Sequence, residues 1–232
     1  MKFVYDRKDI LTLPQAEGTC WLLANGLGGY ASTSAAFSVT RNDQGLLVAA
    51  DTPSQRFNLV HRLSETLSGE DGSVFLSSQT FDGERQAEDG WRRLTSFTWE
   101  DGPCWQYQVG GVRAVRRFGM EHGVNAAAVV YTVENRSDAP CTLRVTPVFQ
   151  FSPKGEARQS QISLRCGGGK IQGEGLTLYV KSSAGLSDVP QDCEALFYED
   201  DRKDGRREKG LGLICTAAEL TVPQGEDGRL EL

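Results

Sequence analysis

The stretch Trp21-Leu22-Leu23-Ala24-Asn25-Gly26-Leu27-Gly28-Gly29-Tyr30-Ala31-Ser32 decides the fold. Two architectures accommodate it. Gly26–Ala31 formally satisfies G-x-G-x-x-[GA], and Asp51 ends a second apolar run twenty residues later. On paper that is a dinucleotide fingerprint with a ribose-binding acid. Such a fingerprint needs a crossover helix directly after it. Ser32–Thr40 instead holds Ser32, Thr33, Ser34, Ser38, Val39 and Thr40, residue types that lose helix propensity or favour strands and turns. No βαβ alternation follows. The competing reading is a turn between two strands. Asn before Gly is a strong turn signal, and glycine sits where the backbone needs positive φ or another group approaches it closely. The second reading is adopted, with a dinucleotide-binding protein as the outlying alternative.

Period two dominates outward from this turn. Phe97 and Trp99 alternate with Thr98, and Trp105, Tyr107 and Val109 alternate with glutamines. Leu143 and Val145 alternate with Thr142, Arg144 and Thr146, and Leu176, Leu178 and Val180 follow the same pattern. Alternation of this kind marks half-buried antiparallel strands. Turn clusters such as Asp101-Gly102-Pro103, Gly110-Gly111, Asn135–Pro140 and Gly173–Gly175 separate them. Ala126–Val133 is uninterruptedly apolar with β-branched residues at its end, and reads as a central strand. No long window carries a period of 3.6. The expectation is an all-β chain: a large two-sheet antiparallel β-sandwich, supersandwich-like, with few or no helices. A single domain spans residues 1–232. Ser152–Gln161 reads as a weak seam, and Asp200–Gly210 as a solvated charged loop. Val222–Leu232 is turn-rich without a clear final element, which fits a chain cut from something longer.

Composition narrows the partners. The chain has 232 residues, a net charge of −6 and a pI near 5.1. An acidic chain of this kind argues against nucleic acid and against an anionic membrane, both of which need a basic face. Neutral ligands such as sugars are compatible. Cys20, Cys104, Cys141, Cys166, Cys193 and Cys215 contain no C-x-x-C pair and read as isolated reduced thiols of a cytoplasmic protein. His61 and His122 are too far apart to suggest zinc. No metal and no cofactor is expected. Met1–Lys8 lacks the apolar core of a secretory signal, and no run approaches transmembrane length.

Catalytic constellations are absent. Glycoside hydrolysis needs two carboxyls at defined separation, one with a raised pKa. Glu199, Asp200, Asp201, Asp204 and Glu208 are interleaved with Arg202, Lys203, Arg206, Arg207 and Lys209, cations that keep carboxylates ionised. No G-x-S-x-G nucleophile turn occurs. His61 reads as a strand-face residue and His122 as part of the turn Glu121-His122-Gly123. No catalytic residue is assigned.

With these residues in view, the chain resembles the N-terminal domain of prokaryotic-type glycogen debranching enzymes, the amylo-α-1,6-glucosidases. That family opens with W-L-x-x-N-G-L-G-G-Y-A-S, matched by Trp21–Ser32, followed by T-R and G-L-L-V-A-A, matched by Thr40-Arg41 and Gly45–Ala50. Arg56, Leu63-Ser64-Glu65, Thr146–Phe149, Phe197–Asp200 and Arg206–Gly210 look like later, weaker family positions. One departure stands out: the family usually reads T-R-R-Y-H-G-L-L, where this chain has Asn42-Asp43-Gln44. The resemblance implies a β-sandwich followed by a separate (α/α)6-barrel that holds the catalytic carboxylates. This chain is then a non-catalytic accessory domain of a glycoside hydrolase in glycogen metabolism. Its expected partners are an α-glucan, glycogen or maltooligosaccharide, and a C-terminal catalytic domain of the same protein. The expected substrate-binding edge is Asn25, Gly26, Gly28, Gly29, Tyr30 and Arg41. Asn25 and Arg41 would donate to sugar hydroxyls, and Tyr30 would stack. An equal reading of the glycine loop is a tight turn packing against the barrel, and the class alternative is a purely structural or protein-interaction sandwich without ligand.

Overall fold

The computed structural model describes residues 2–70 and 72–232. It is the all-β sandwich that the alternation predicts. One sheet has six strands in the spatial order Phe3–Asp6, Leu94–Trp99, Pro103–Val109, Val112–Met120, Ala127–Asn135 and Asp227–Glu231. The facing sheet has eight. Seven run Ser187–Phe197, Lys209–Val222, Cys141–Pro153, Gln55–Gly69, Gly45–Thr52, Tyr30–Ser34 and Cys20–Ala24, and Gly72–Phe75 pairs alongside Gln55–Gly69. A small three-stranded sheet, Arg165–Gly167, Lys170–Gly173 and Leu176–Tyr179, is added to these. The α-helices are one-turn pieces, Leu13–Glu17 and Glu199–Lys203.

The aromatic alternation builds the centre of the core. Trp99 pairs with Pro103 across the Asp101-Gly102 turn, so the hairpin puts Trp105 inside, fully buried. Trp21, Phe37 and Phe97 surround its ring at centroid distances of 5.7, 5.0 and 5.1 Å, within the favoured range for aromatic pairs. The Trp105 indole N–H donates to the Ala35 carbonyl at 2.9 Å. Ala126–Val133, anticipated as a central strand, is an interior strand one place from the sheet's edge, Ala127–Asn135, between Val112–Met120 and the last strand, with alternate side chains buried.

Charged groups also enter the core. Arg116 of the six-stranded sheet pairs with Glu65 of the eight-stranded sheet, and both are buried. The Tyr131 hydroxyl donates to Glu65, and Arg116 donates to the Tyr107 hydroxyl at 2.5 Å. The guanidinium lies over the Phe37 ring at 3.4 Å and the Trp105 ring at 4.4 Å, so aromatic faces replace much of its lost hydration. Arg62 is held in the same manner between Glu88 and Glu194.

Three expectations need correction. The cysteines are not all reduced thiols: Cys166 and Cys215 form a disulfide, while Cys20, Cys104, Cys141 and Cys193 are free. The fold lays Arg165–Gly167 beside Lys209–Val222, bringing together thiols 49 residues apart, which sequence spacing could not reveal. Asp200–Gly210 is not merely solvated, since Asp201 is fully buried and accepts from the Asn42 amide at 2.7 Å. Val222–Leu232 does end in an element. Asp227–Glu231 closes the six-stranded sheet with Leu230 fully buried, a strand with only one inward apolar residue and thus no visible alternation.

The buried pair sets a clear expectation. Glu65→Ala leaves Arg116 uncompensated and should cost about 3–5 kcal/mol. Arg113→Ala removes the half-exposed pair with Glu134 and a partly exposed hydrogen bond to Gln106 Oε1 and should cost about 1 kcal/mol or less. Urea unfolding midpoints of the two variants measure the difference.

Candidate functional site

The glycine loop closes the hairpin between Cys20–Ala24 and Tyr30–Ser34, whose last pair is Ala24 with Tyr30. The Asn25 N–H donates to the Gly29 carbonyl at 3.1 Å. Gly26 and Gly28 have φ of 81° and 98°, a region that L side chains rarely occupy. Space is as restrictive as φ. A Cβ on Gly26 would run into the His122 ring. One on Gly29 would sit 2.7 Å from Asn25 Nδ2 and 2.9 Å from Asn125 Oδ1.

Asn25 is fully buried and its amide is used inside the protein. Nδ2 donates to the Val124 carbonyl at 3.0 Å and to Asn125 Oδ1 at 2.9 Å, and Oδ1 accepts from the Leu27 N–H at 2.9 Å. Asn125 continues the chain: Oδ1 accepts from the Ala50 N–H at 3.0 Å, and Nδ2 donates to the Ala50 carbonyl at 2.8 Å. Two asparagine amides thus knit together the glycine loop, the turn before Ala127 and the end of Gly45–Thr52. This end shows to solvent Leu27, 42% exposed, and Val124, 45% exposed, together with Glu121, His122 and Asn125.

Tyr30 is half-buried, and its hydroxyl donates to the Asp43 carbonyl. Burial pushes its phenol above the ordinary value, and the Lys154 ammonium lies 6.0 Å over the ring. Arg41 stands apart from the loop. It pairs with Asp204, and with Asp201 at 3.8 Å, and the bond to Asp204 raises its pKa further. Arg206 bridges the two positions, 3.6 Å from Asp43 and 3.2 Å from Asp201. Tyr30 and Arg41 therefore sit at opposite ends of one ionic chain.

Asn42-Asp43-Gln44 folds into a closed turn within that chain. Asn42 and Gln44 are buried. Gln44 Oε1 accepts from the Thr40 and Arg41 N–H groups at 2.7 and 3.3 Å. Of the two positions where the resemblance leads one to expect Tyr and His, Gln44 is turned into the fold and Asp43 keeps a partly exposed carboxylate beside Lys154 and Arg206.

Two ionisable groups away from the loop have strongly displaced pKa values and bond within the fold. His61 contacts Asn58 Nδ2 at 2.9 Å and the Tyr198 hydroxyl at 3.1 Å. Burial and the neighbouring Arg62 push its pKa down to about 3, so it is neutral at physiological pH. Glu17, whose carboxylate accepts from the Ser38 hydroxyl at 2.9 Å, has its pKa raised by burial to about 7. Among the described residues, no group of three or more His, Cys, Asp or Glu side chains could hold a metal ion, and no helix is long and apolar enough to cross a membrane.

Asn25, Gly26, Gly28, Gly29 and Tyr30 are contiguous in space, and Arg41 joins them only through Asp43 and Arg206. Sequence reasoning missed Asn125, because its partners Asn25 and Ala50 lie 100 and 75 residues away. It also left His122 as a turn residue; the only available signal was a glycine, Gly26, with an unexplained need for space.

Fold and site together define the class: an antiparallel β-sandwich with a loop-built end closed by internal amides. The sequence model of the family described as "Glycogen debranching enzyme N terminal" matches residues 19–228. The match includes the glycine loop and every strand of the path from Cys20–Ala24 to Ser187–Phe197, and the chain belongs to this family. No curated protein matches it.

Two outcomes follow from the site. Asn125→Ala removes one of the two acceptors of Asn25 Nδ2 and the side-chain partner of both Ala50 backbone groups, and should cost roughly 2 kcal/mol although Asn125 is itself a surface residue; thermal unfolding reads this. Glu17 holds its proton more tightly folded than unfolded, so its contribution is complete below about pH 4.5 and is lost as pH rises through about 7. Stability should fall over that window by roughly 1–3 kcal/mol after allowance for residual solvent. Glu17→Gln should flatten the profile of urea midpoints against pH.

Proposed function

We propose that the chain acts as one accessory domain of a debranching-type glycoside hydrolase, with its glycine-loop end docked against a catalytic domain and forming a rim of the α-glucan cleft. One observation carries this reading: the full burial and internal bonding of Asn25. A side chain built to meet sugar hydroxyls would keep free donors at the surface. Here the amide shapes the loop, and Leu27 and Val124 place exposed apolar surface between the exposed Glu121, His122 and Asn125. Apolar exposed groups beside a rigid, amide-braced loop suit protein packing.

The six residues then divide their tasks. Asn25, Gly26, Gly28 and Gly29 set the loop's shape. Tyr30 and Arg41 keep part of their side chains accessible and would contribute the direct glucan contacts, the ring by stacking and the guanidinium by donating to hydroxyls. The net charge of −6 suits a neutral polysaccharide. Catalysis belongs to the companion domain, which supplies the acid and base that this chain lacks.

The shallow edge encloses little ligand, so affinity for maltoheptaose should be near millimolar, about −4 kcal/mol. Calorimetric titration with maltoheptaose and glycogen measures this, and Tyr30→Ala should abolish it. Leu27→Asp combined with Val124→Asp should leave the isolated domain folded but lower the stability and glucan turnover of the enzyme that contains it. Full turnover in that double variant would remove the packing reading. Absence of saturation at ten-millimolar oligosaccharide would remove the direct glucan contact.

A further inference from the structure

The hydrophobic interior is divided. A main cluster lies between the two large sheets, and a second one gathers where Gly45–Thr52, Gln55–Gly69, Cys141–Pro153 and Lys209–Val222 meet the three-stranded sheet. A cavity of about 650 Å³ lies at the seam between them. Leu46, Leu63 and Val129 contribute from the main cluster and Leu47, Leu59 and Leu178 from the second. The register of Gly45–Thr52 against Gln55–Gly69 slips between Leu47 and Val48, and this irregularity falls in the cavity wall. Along one strand the lining runs from Leu46 to Asp51, roughly 17 Å at the rise of an extended chain.

The cavity has the size of a ligand pocket and the wrong walls for a glucan. Branched aliphatic side chains give hydroxyls no partners, and an apolar cavity stays dry but accepts apolar guests. Polar groups lie at the open side, where the exposed Thr177 and Tyr179 add hydroxyls to Asn125, Asp51 and Lys181. The Asn125 amide there is already bonded to Ala50 and Asn25. Asp51 and Lys181, both exposed, bring one acceptor and one donor of opposite charge. A mouth whose charges cancel disfavours an anionic or cationic head and suits one that both accepts and donates hydrogen bonds.

We propose that this cavity is a binding site for a single-chain amphiphile, its aliphatic tail lying along Leu46–Ala50 and its uncharged, hydroxyl-bearing head at Asp51 and Lys181. The site adjoins the glycine-loop end through Asn125, and its occupant does not depend on the function proposed for that end. Occupancy joins the two clusters into one continuous apolar interior and braces the strand Leu176–Tyr179 against the large sheets.

Alkyl glucosides test this on the intact chain by calorimetry below their micelle concentrations, with near-ultraviolet circular dichroism reporting the fold. Octyl glucoside should bind one to one and more tightly than hexyl glucoside by roughly fifteen-fold, about fourfold for each added methylene. Glucose should not bind. Ala128→Trp, at an exposed position on the lining, should block the mouth and weaken octyl glucoside at least tenfold while the spectrum stays native. Maltoheptaose should not compete. Equal affinity for the hexyl and octyl compounds, or unchanged binding to Ala128→Trp, would overturn the proposal. Tighter binding of octanoate than of octyl glucoside would overturn the assignment of the head. Absence of binding by a natively folded sample, alone or with concentration-dependent self-association in sedimentation, would make the seam a seat for protein side chains instead.

Discussion

The pairing of Arg116 with Glu65 is the constraint around which the sandwich is arranged. Each charge is removed from water and would be prohibitive alone, so the two sheets can face each other only in the alignment that brings the groups together. The aromatic residues belong to the same constraint. Tyr131 and Tyr107 complete the hydrogen bonds of the pair, and Phe37 and Trp105 cover the guanidinium. A sandwich held by leucines alone would tolerate sliding of one sheet over the other. This one has a polar centre with a single satisfactory geometry, and its registry follows from that.

The glycine loop shows a related economy at the molecule's edge. Polar side chains that a sequence presents as ligand-seeking are spent on the loop itself. Asn25 and Asn125 satisfy backbone groups in three separate segments, and the glycines are small because His122 and the asparagines occupy the space where side chains would project. The loop is rigid by hydrogen bonding rather than by burial under an apolar layer. Its exposed groups are those left over, which is why the domain reads better as a shaped wall than as a hand that grips.

Much of the strand architecture was legible because alternation is a local property. Trp105 and Tyr107 announce an inward face two residues at a time, and Asp101-Gly102-Pro103 announces the turn before it. The need for glycine at Gly26 was legible for the same reason. What the sequence hid is non-local. Asp201 sits among charges that normally mark solvent, yet the Asn42 amide and Arg206 draw it inside. Leu230 and Leu232 are two apolar residues at the end of a polar tail until Ala127–Asn135 provides a partner strand. The bond between Cys166 and Cys215 and the role of Asn125 depend on segments that meet only in the folded chain, so no spacing rule along the sequence encodes them.

The separation of Asn25 from Asn125 by 100 residues also bears on how the domain forms. Contacts between distant segments form only after the intervening chain has been ordered, and the entropy of closing such a loop makes them slow. The hairpin at Trp21–Ser32 is local and can pair early through the Asn25–Gly29 and Leu27–Asn25 bonds, but its brace to the rest of the fold waits until the Val112–Met120 and Ala127–Asn135 strands bring Asn125 to it. The braced glycine loop is therefore a late product of folding. A chain emerging from synthesis carries the whole motif long before it possesses the surface the motif encodes, and a companion domain that recognises this surface would in effect recognise completed folding.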